Sequence, residues 1–191
     1  PSNKNTQTIT SLVRKEEFDS FYQEFVESNF LPHILTSEVS AYQSFAQTSP
    51  LEGPYLILDL GHSTSKAYFV HGHQVVSTHL SYVAGTVIDQ VIAETYQISI
   101  PEAIIYKHQN SYLLNEKQMD KVSDEQKDFA LLMKQVFEPM IQDIKRWEMG
   151  HRISYNEGLK NIYLTGGTAN IKNISNYFTE NIGIKTSQLK T

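Results

Sequence analysis

Residues Tyr55–Leu60 read Tyr-Leu-Ile-Leu-Asp-Leu, a nearly continuous apolar run that closes on a single acid. A run this short and this apolar reads as a buried strand. It is followed at once by Gly61-His62-Ser63-Thr64-Ser65, a glycine-containing turn rich in hydroxyls. A second strand over 66–70 and a third over 74–80 flank His71-Gly72-His73, the turn of a hairpin. Three consecutive strands are therefore expected from residue 55 to residue 80.

Helical periodicity surrounds this core. Phe18, Phe21, Tyr22, Phe25 and Val26 fall on one face of a helix over 15–28, and such a face is normally buried. Leu12 and Val13 fit the end of a short strand, and 33–36 an extended link. Ser37 is a fitting N-cap for a helix burying Val39, Ala41, Tyr42 and Phe45. Residues 1–50 thus form a helical segment, separate from a second unit over 51–191. Beyond the strands, Val87, Ile88, Val91 and Ile92 mark a helix, and Pro101 opens another at its first turn. A long helix over 124–149 carries Phe129, Met133, Val136, Phe137, Met140, Ile144 and Trp147 on one side, with Pro139 expected to kink it. A strand over 161–164, a Gly166-Gly167 turn, a helix over 170–180 and a short strand near Ile184 complete the order. The fold class is α/β, a ribonuclease-H-like lobe with a mixed sheet.

Composition excludes several classes. The 191 residues are 40% hydrophobic with a net charge of −5, so the total charge recruits neither nucleic acid nor anionic lipid. There is no cysteine, hence no disulfide framework and no thiolate metal site. No apolar run approaches the roughly 20 residues that span a bilayer, so no direct membrane insertion is expected. Residues 1–9 are polar and lack an initiating Met, which reads as a piece of a longer protein. His71 and His73 share a turn, but a structural zinc site needs four ligands and no third is near. Asp19, Glu24 and Glu27 read as a wet helix face.

The strand-end acid and its turn carry the chemistry, and two readings are open. Backbone N–H groups and hydroxyls of such a turn can face a phosphate, with Asp59 holding a metal-bound water beside it. An ordinary hairpin stabilised by its Asp and Ser fits the same residues.

Five motifs in order resemble the actin-like superfamily, in particular its PilM and FtsA branch. Asp59-Leu60-Gly61-His62-Ser63-Thr64-Ser65-Lys66 resembles the second phosphate loop, and Ile162-Tyr163-Leu164-Thr165-Gly166-Gly167-Thr168-Ala169-Asn170-Ile171 the adenosine motif. Ala84-Gly85 stands where a Gly-Gly follows the third strand. Ile98 to Lys107 resembles the helix that carries a Glu and a Lys, and Gln142-Asp143-Ile144-Lys145-Arg146 the stretch before the last subdomain. The resemblance implies the second half of an actin-like domain, with residues 1–50 as linker helices from the first half. It implies ATP and Mg²⁺ as cofactors of the whole protein, contacted here by Asp59, Gly61, Ser63, Thr64, Ser65, Lys107, Gly166, Gly167 and Thr168. The metal would meet Asp59 through water.

The departures limit that implication. Lys66 replaces an Asp or Asn, His62 a small residue, and Ile104 the Glu that bonds ribose. A first phosphate loop would lie in the preceding half. The sequence therefore points to a scaffold like PilM, or like the cytoplasmic domain of GspL, with ATP bound weakly or not at all by this piece. Its expected partners are a membrane-platform protein of a pilus or secretion system, the motor ATPase of that machine, or another copy of itself. Its expected place is the cytoplasm, peripheral to the inner membrane or as part of an inner-membrane protein. An active FtsA-like ATPase that forms filaments is the alternative, with Asp59 catalytic. A ribonuclease-H-like nuclease or kinase lobe would need several carboxylates at strand ends, and only Asp59 qualifies.

Overall fold

The computed structural model describes residues 8–189. Its centre is one five-stranded sheet in the order β3-β2-β1-β4-β5. The strands are β1 (Tyr55–Leu60), β2 (Ser65–His71), β3 (Gln74–Ser81), β4 (Asn161–Thr165) and β5 (Lys185–Gln188). The first three form an antiparallel meander, and β4 and β5 add in parallel beside β1. Gly72 and His73 form the two-residue turn of the β2–β3 hairpin.

The apolar run of β1 follows from cover on both faces. Leu56, Leu58 and Leu60 enter the larger core, with Ala67 and Phe69 of β2. Tyr55 and Ile57 enter a smaller one, with Tyr68 and Val70. Period-two alternation puts Asp59 on the face of Tyr55 and Ile57, and antiparallel register sets Lys66 directly opposite it.

The smaller face is covered by α2 (Glu38–Thr48), capped by Ser37, whose side chain accepts from the Ser40 amide. Ala46 is fully buried there, with Val39, Tyr42 and Phe45 packed around it. Ala41, expected inside, is exposed. The side-chain amide of Gln43 reaches the edge strand: its oxygen accepts from Val75 N at 2.8 Å and its nitrogen donates to His73 O at 3.3 Å.

The larger face is covered by α3 (Gly85–Tyr96), α4 (Ile100–Asn110) and α6 (Asp124–Tyr155), with the short α5 (Glu116–Met119) between α4 and α6. A capping box of Ser99 and Glu102 opens α4, and one of Ser123 and Gln126 opens α6. Phe129, Met133, Val136, Phe137, Met140 and Ile144 are buried as the periodicity predicts, and Trp147 is packed at the margin. The helix continues six residues past the expected end and runs on through Pro139, which lies exposed. Water can satisfy the carbonyl that a proline leaves without its donor.

Three further expectations do not hold. Leu12 and Val13 lie in irregular backbone and belong to no strand. The aromatic stripe of α1 (Lys15–Glu27) is not core: no residue of that helix is buried, and Phe18 and Phe21 are 40% and 50% exposed. Its rings pack on one another and on Phe30 instead. The last helix, α7 (Ile174–Ile182), starts later than expected. Residues Gly167–Asn170 form a 3-10 turn, and Asn173 adopts a left-handed φ of +66° just before α7.

Candidate functional site

The turn after β1 is the hub of the candidate site. A Cβ on Gly61 would lie 2.5 Å from the Thr64 carbonyl oxygen, so only glycine lets the turn close this tightly. The Gly61 carbonyl accepts from Gly85 N at 3.1 Å and from Thr168 Oγ1 at 2.9 Å. The next carbonyl, of His62, accepts from Thr86 N at 2.8 Å. The turn thereby caps α3, which has no side-chain cap of its own. With its carbonyls turned to α3 and Thr168, the turn keeps its remaining donors: the amides of His62, Ser63 and Thr64 have no partner among the described residues. These are the groups that a phosphate would meet.

The adenosine-like motif approaches from β4. Gly166 has φ +87°, and a Cβ there would collide with an Asp59 carboxylate oxygen and lie 2.5 Å from Leu60 O. Gly167, by contrast, has open space around it. Thr168 is buried through its bond to Gly61. Asp59, Gly61, Gly166 and Thr168 are therefore one cluster.

Two expected ligands are placed otherwise. Ser65 is 1% exposed, and its hydroxyl donates to Val83 O at 2.7 Å, tying β2 to the segment before α3. Being the first residue of the strand, it points inward and not from the turn tip. The Lys107 ammonium lies 2.7 and 2.8 Å from the two Asp89 carboxylate oxygens and donates to Gly85 O at 3.1 Å. Asp89 was not foreseen. It sits one helical turn into α3, on its buried side, where a lone carboxylate requires a cation.

The strand-end acid has partners that were also not foreseen. Tyr42 OH donates to Asp59 Oδ2 at 3.0 Å, and the Tyr42 and Tyr68 rings pack with centroids 4.0 Å apart. Glu38 accepts from Lys66 Nζ and, at 3.2 Å, from Tyr68 OH. Burial, reinforced by the Asp59 carboxylate, raises the Tyr42 phenol above its ordinary range; burial and Glu38 do the same to Tyr68. Lys66, a departure from the resembled motif, is thus the ion partner of α2.

A cavity of ≈ 200 Å³ opens beside the hub, lined by His62, Lys107, His108, Gly167, Thr168 and Asn170 among others. Binding pockets for small molecules usually run to about 300–1,000 Å³, so this cavity alone is smaller than most of them. Donors for a phosphate fit. The metal end fits less well, because one oxygen of Asp59 is held by Tyr42. Among the described residues no group of three or more His, Cys, Asp or Glu side chains could hold a metal ion. Among them, too, no helix is long and apolar enough to cross a membrane.

No family profile matches the sequence, and no curated protein matches it. Solved structures match its fold. The PilM–PilN type IV pilus biogenesis complex aligns with a TM-score of 0.72 at 14% identity, over 93% of this chain and 48% of that one. MreB5 of Spiroplasma citri bound to AMPPNP gives 0.67 at 16% identity, over 92% and 60%. The ethanolamine utilization protein EutJ from Carboxydothermus hydrogenoformans gives 0.55 at 20%, over 75% and 47%. The chain spans less than two thirds of each.

Proposed function

We propose that this chain, whose fold is one actin-like lobe, serves an assembly scaffold of a type IV pilus or type II secretion machine, at the cytoplasmic side of the inner membrane. The observation that carries this reading is the Tyr42–Asp59 hydrogen bond. The acid that a hydrolytic member would use to hold a metal-bound water is engaged by a helix of its own chain. The Lys107–Asp89 pair adds to it, since the lysine that the resemblance places at the nucleotide is already engaged by a carboxylate of its own chain. The likeness of fold to the PilM–PilN type IV pilus biogenesis complex supports a protein partner, which we infer to be a short cytoplasmic peptide of a membrane-platform protein or the machine's motor ATPase.

In this reading nucleotide is a ligand that favours one arrangement of two lobes, not a substrate turned over. ATP and Mg²⁺ belong to the whole protein. In this reading two lobes share the phosphate contacts, and each charged hydrogen bond that one lobe alone does not supply weakens binding by about 1.5–3 kcal/mol. Sub-micromolar Mg-ATP binding by the isolated chain in calorimetry contradicts it.

The free amides of His62, Ser63 and Thr64 favour a second reading, a nucleotide-hydrolysing filament former. The MamK double helical filament is a fold neighbour at a TM-score of 0.65. Asp59→Asn in the full-length protein separates the two, because asparagine still accepts from Tyr42. A scaffold keeps partner binding and machine assembly. A hydrolytic protein loses phosphate release and assembly together.

A further inference from the structure

Six rings form a continuous ladder where the end of α6 crosses β2 and β3. Trp147 stacks on His79 at 4.8 Å and 11°, and His79 meets Phe69 edge-on at 5.5 Å. Phe69 stacks on His151 at 5.4 Å, His151 on Tyr155 at 4.8 Å, and Tyr155 on His71 at 4.8 Å. Three of the chain's seven histidines are here. His151 is 5% exposed, and neither of its ring nitrogens has a hydrogen-bond partner; nor has Nδ1 of His71, whose ring lies 5.8 Å away.

A neutral imidazole serves in such a ladder as a flat aromatic. A charged one brings a cation into a buried site and faces a second histidine. The charged and titratable groups around His151 are few. On α6 they are Glu148 and Tyr155, with Arg152 bonded to Glu148 at 2.7 Å. On β2 there is His71 and on β3 His79. In the loop after α6 there is Glu157, 3.5 Å from Lys160. Both carboxylates favour a protonated His151, but each already faces a cation. Burial is the larger influence and lowers His151, with His71 acting in the same sense; burial lowers His79 as well.

We propose that this ladder is a proton-operated latch: on mild acidification, protonation of His151 releases the last two turns of α6 from the β2–β3 hairpin. A histidine held below its ordinary value of about 6.5 contributes stability that is complete above that pH and is lost as pH falls beneath it. The latch therefore holds at neutral pH and opens below about pH 6.5. It acts independently of the nucleotide-like site, on the other face of the sheet from Asp59.

Trp147 is the chain's one tryptophan and stands on the first rung, so its emission reports the ladder. The test follows Trp147 fluorescence and amide hydrogen exchange of the 191-residue chain from about pH 8 to about pH 5. Exchange is corrected for its intrinsic pH dependence. The expected result is a reversible emission change, with exchange over 147–155 rising about tenfold or more while β1 and β4 stay protected. His151→Phe, which keeps the ring and removes the proton site, should abolish the exchange step. If that variant does not fold, wild-type imidazole NMR decides: the His151 titration midpoint must coincide with the exchange midpoint. Flat exchange over 147–155 overturns the proposal. So does an exchange step unchanged in His151→Phe, or an emission change removed by His79→Phe alone without any exchange step, which is simple quenching of Trp147.

Discussion

The Tyr42 hydroxyl, on a helix that covers the sheet, donates its proton to the carboxylate of Asp59, at the end of the sheet's central strand, across 3.0 Å. One hydrogen bond thus joins the element before the sheet to the residue on which any phosphate chemistry would turn. A hydrogen bond to a charged group contributes about 1.5–3 kcal/mol, so Tyr42→Phe should lower the urea unfolding free energy by about that amount. The effect is also pH-dependent. Burial and Asp59 raise the Tyr42 phenol, so the folded state holds this proton more tightly than the unfolded chain. The resulting stability is complete below about pH 10 and falls as pH rises above it. The loss between about pH 9 and pH 11 should therefore be smaller in Tyr42→Phe than in wild type. An equal loss in both would mean that this phenol is not held as described.

Gly166 and Gly167 are adjacent and should respond in opposite ways. Alanine at Gly166 must adopt φ +87° and crowd Leu60 O. Backbone strain alone costs about 1–3 kcal/mol, and the collision adds to it. Alanine at Gly167 meets nothing within 4 Å and should stay within about 0.5 kcal/mol of wild type. Thermal denaturation of the two variants checks this, and similar melting temperatures refute the geometry.

The Lys107–Asp89 pair predicts a non-additive pair of substitutions. Lys107→Met leaves a buried carboxylate without its cation, and removing one partner of a buried pair costs about 3–5 kcal/mol. Adding Asp89→Leu should recover a large part of that loss. A double variant no more stable than Lys107→Met shows that the ammonium is held by Gly85 O alone.

Phe137 tests the phase of α6. It is fully buried and meets Phe178 of α7 at 5.8 Å. Phe137→Ala should destabilise by about 3–5 kcal/mol, whereas Glu138→Ala, one residue on and exposed, should change little. Comparable losses from both would show the helix face to be misassigned.

The sheet and α6 were legible in the sequence because their signals are one-dimensional. A strand covered on both faces has no polar alternation to blur it, and the stripe of α6 repeats over many turns. Asp59, Gly61, Gly166 and Thr168 were legible as a cluster for a related reason: each sits at a strand end, where chain direction alone brings them together. Tyr42, Glu38 and Asp89 were not, because their partners lie 17, 28 and 18 positions away, across a packed interface. Register offered a partial signal, since Lys66 faces Asp59 across the β1–β2 pair. Ser65 was misplaced by one position: as a turn residue it would reach outward, as the first residue of β2 it is turned in. The histidine ladder was hidden because a sequence shows histidine as polar, and only packing reveals it as a ring among rings.

Gln43 has a consequence for how copies of this lobe can meet. A primary amide offers the same donor and acceptor as a peptide bond, and here it sits against Val75 and His73 as one rung of a missing neighbour strand. Foreign backbone arriving at the start of β3 finds that rung filled. At the opposite border, β5 is only four residues long and begins on Lys185, a short and charged template for pairing. The start of β3 and the short, charged β5 are thus poor places for foreign backbone to begin pairing with this sheet.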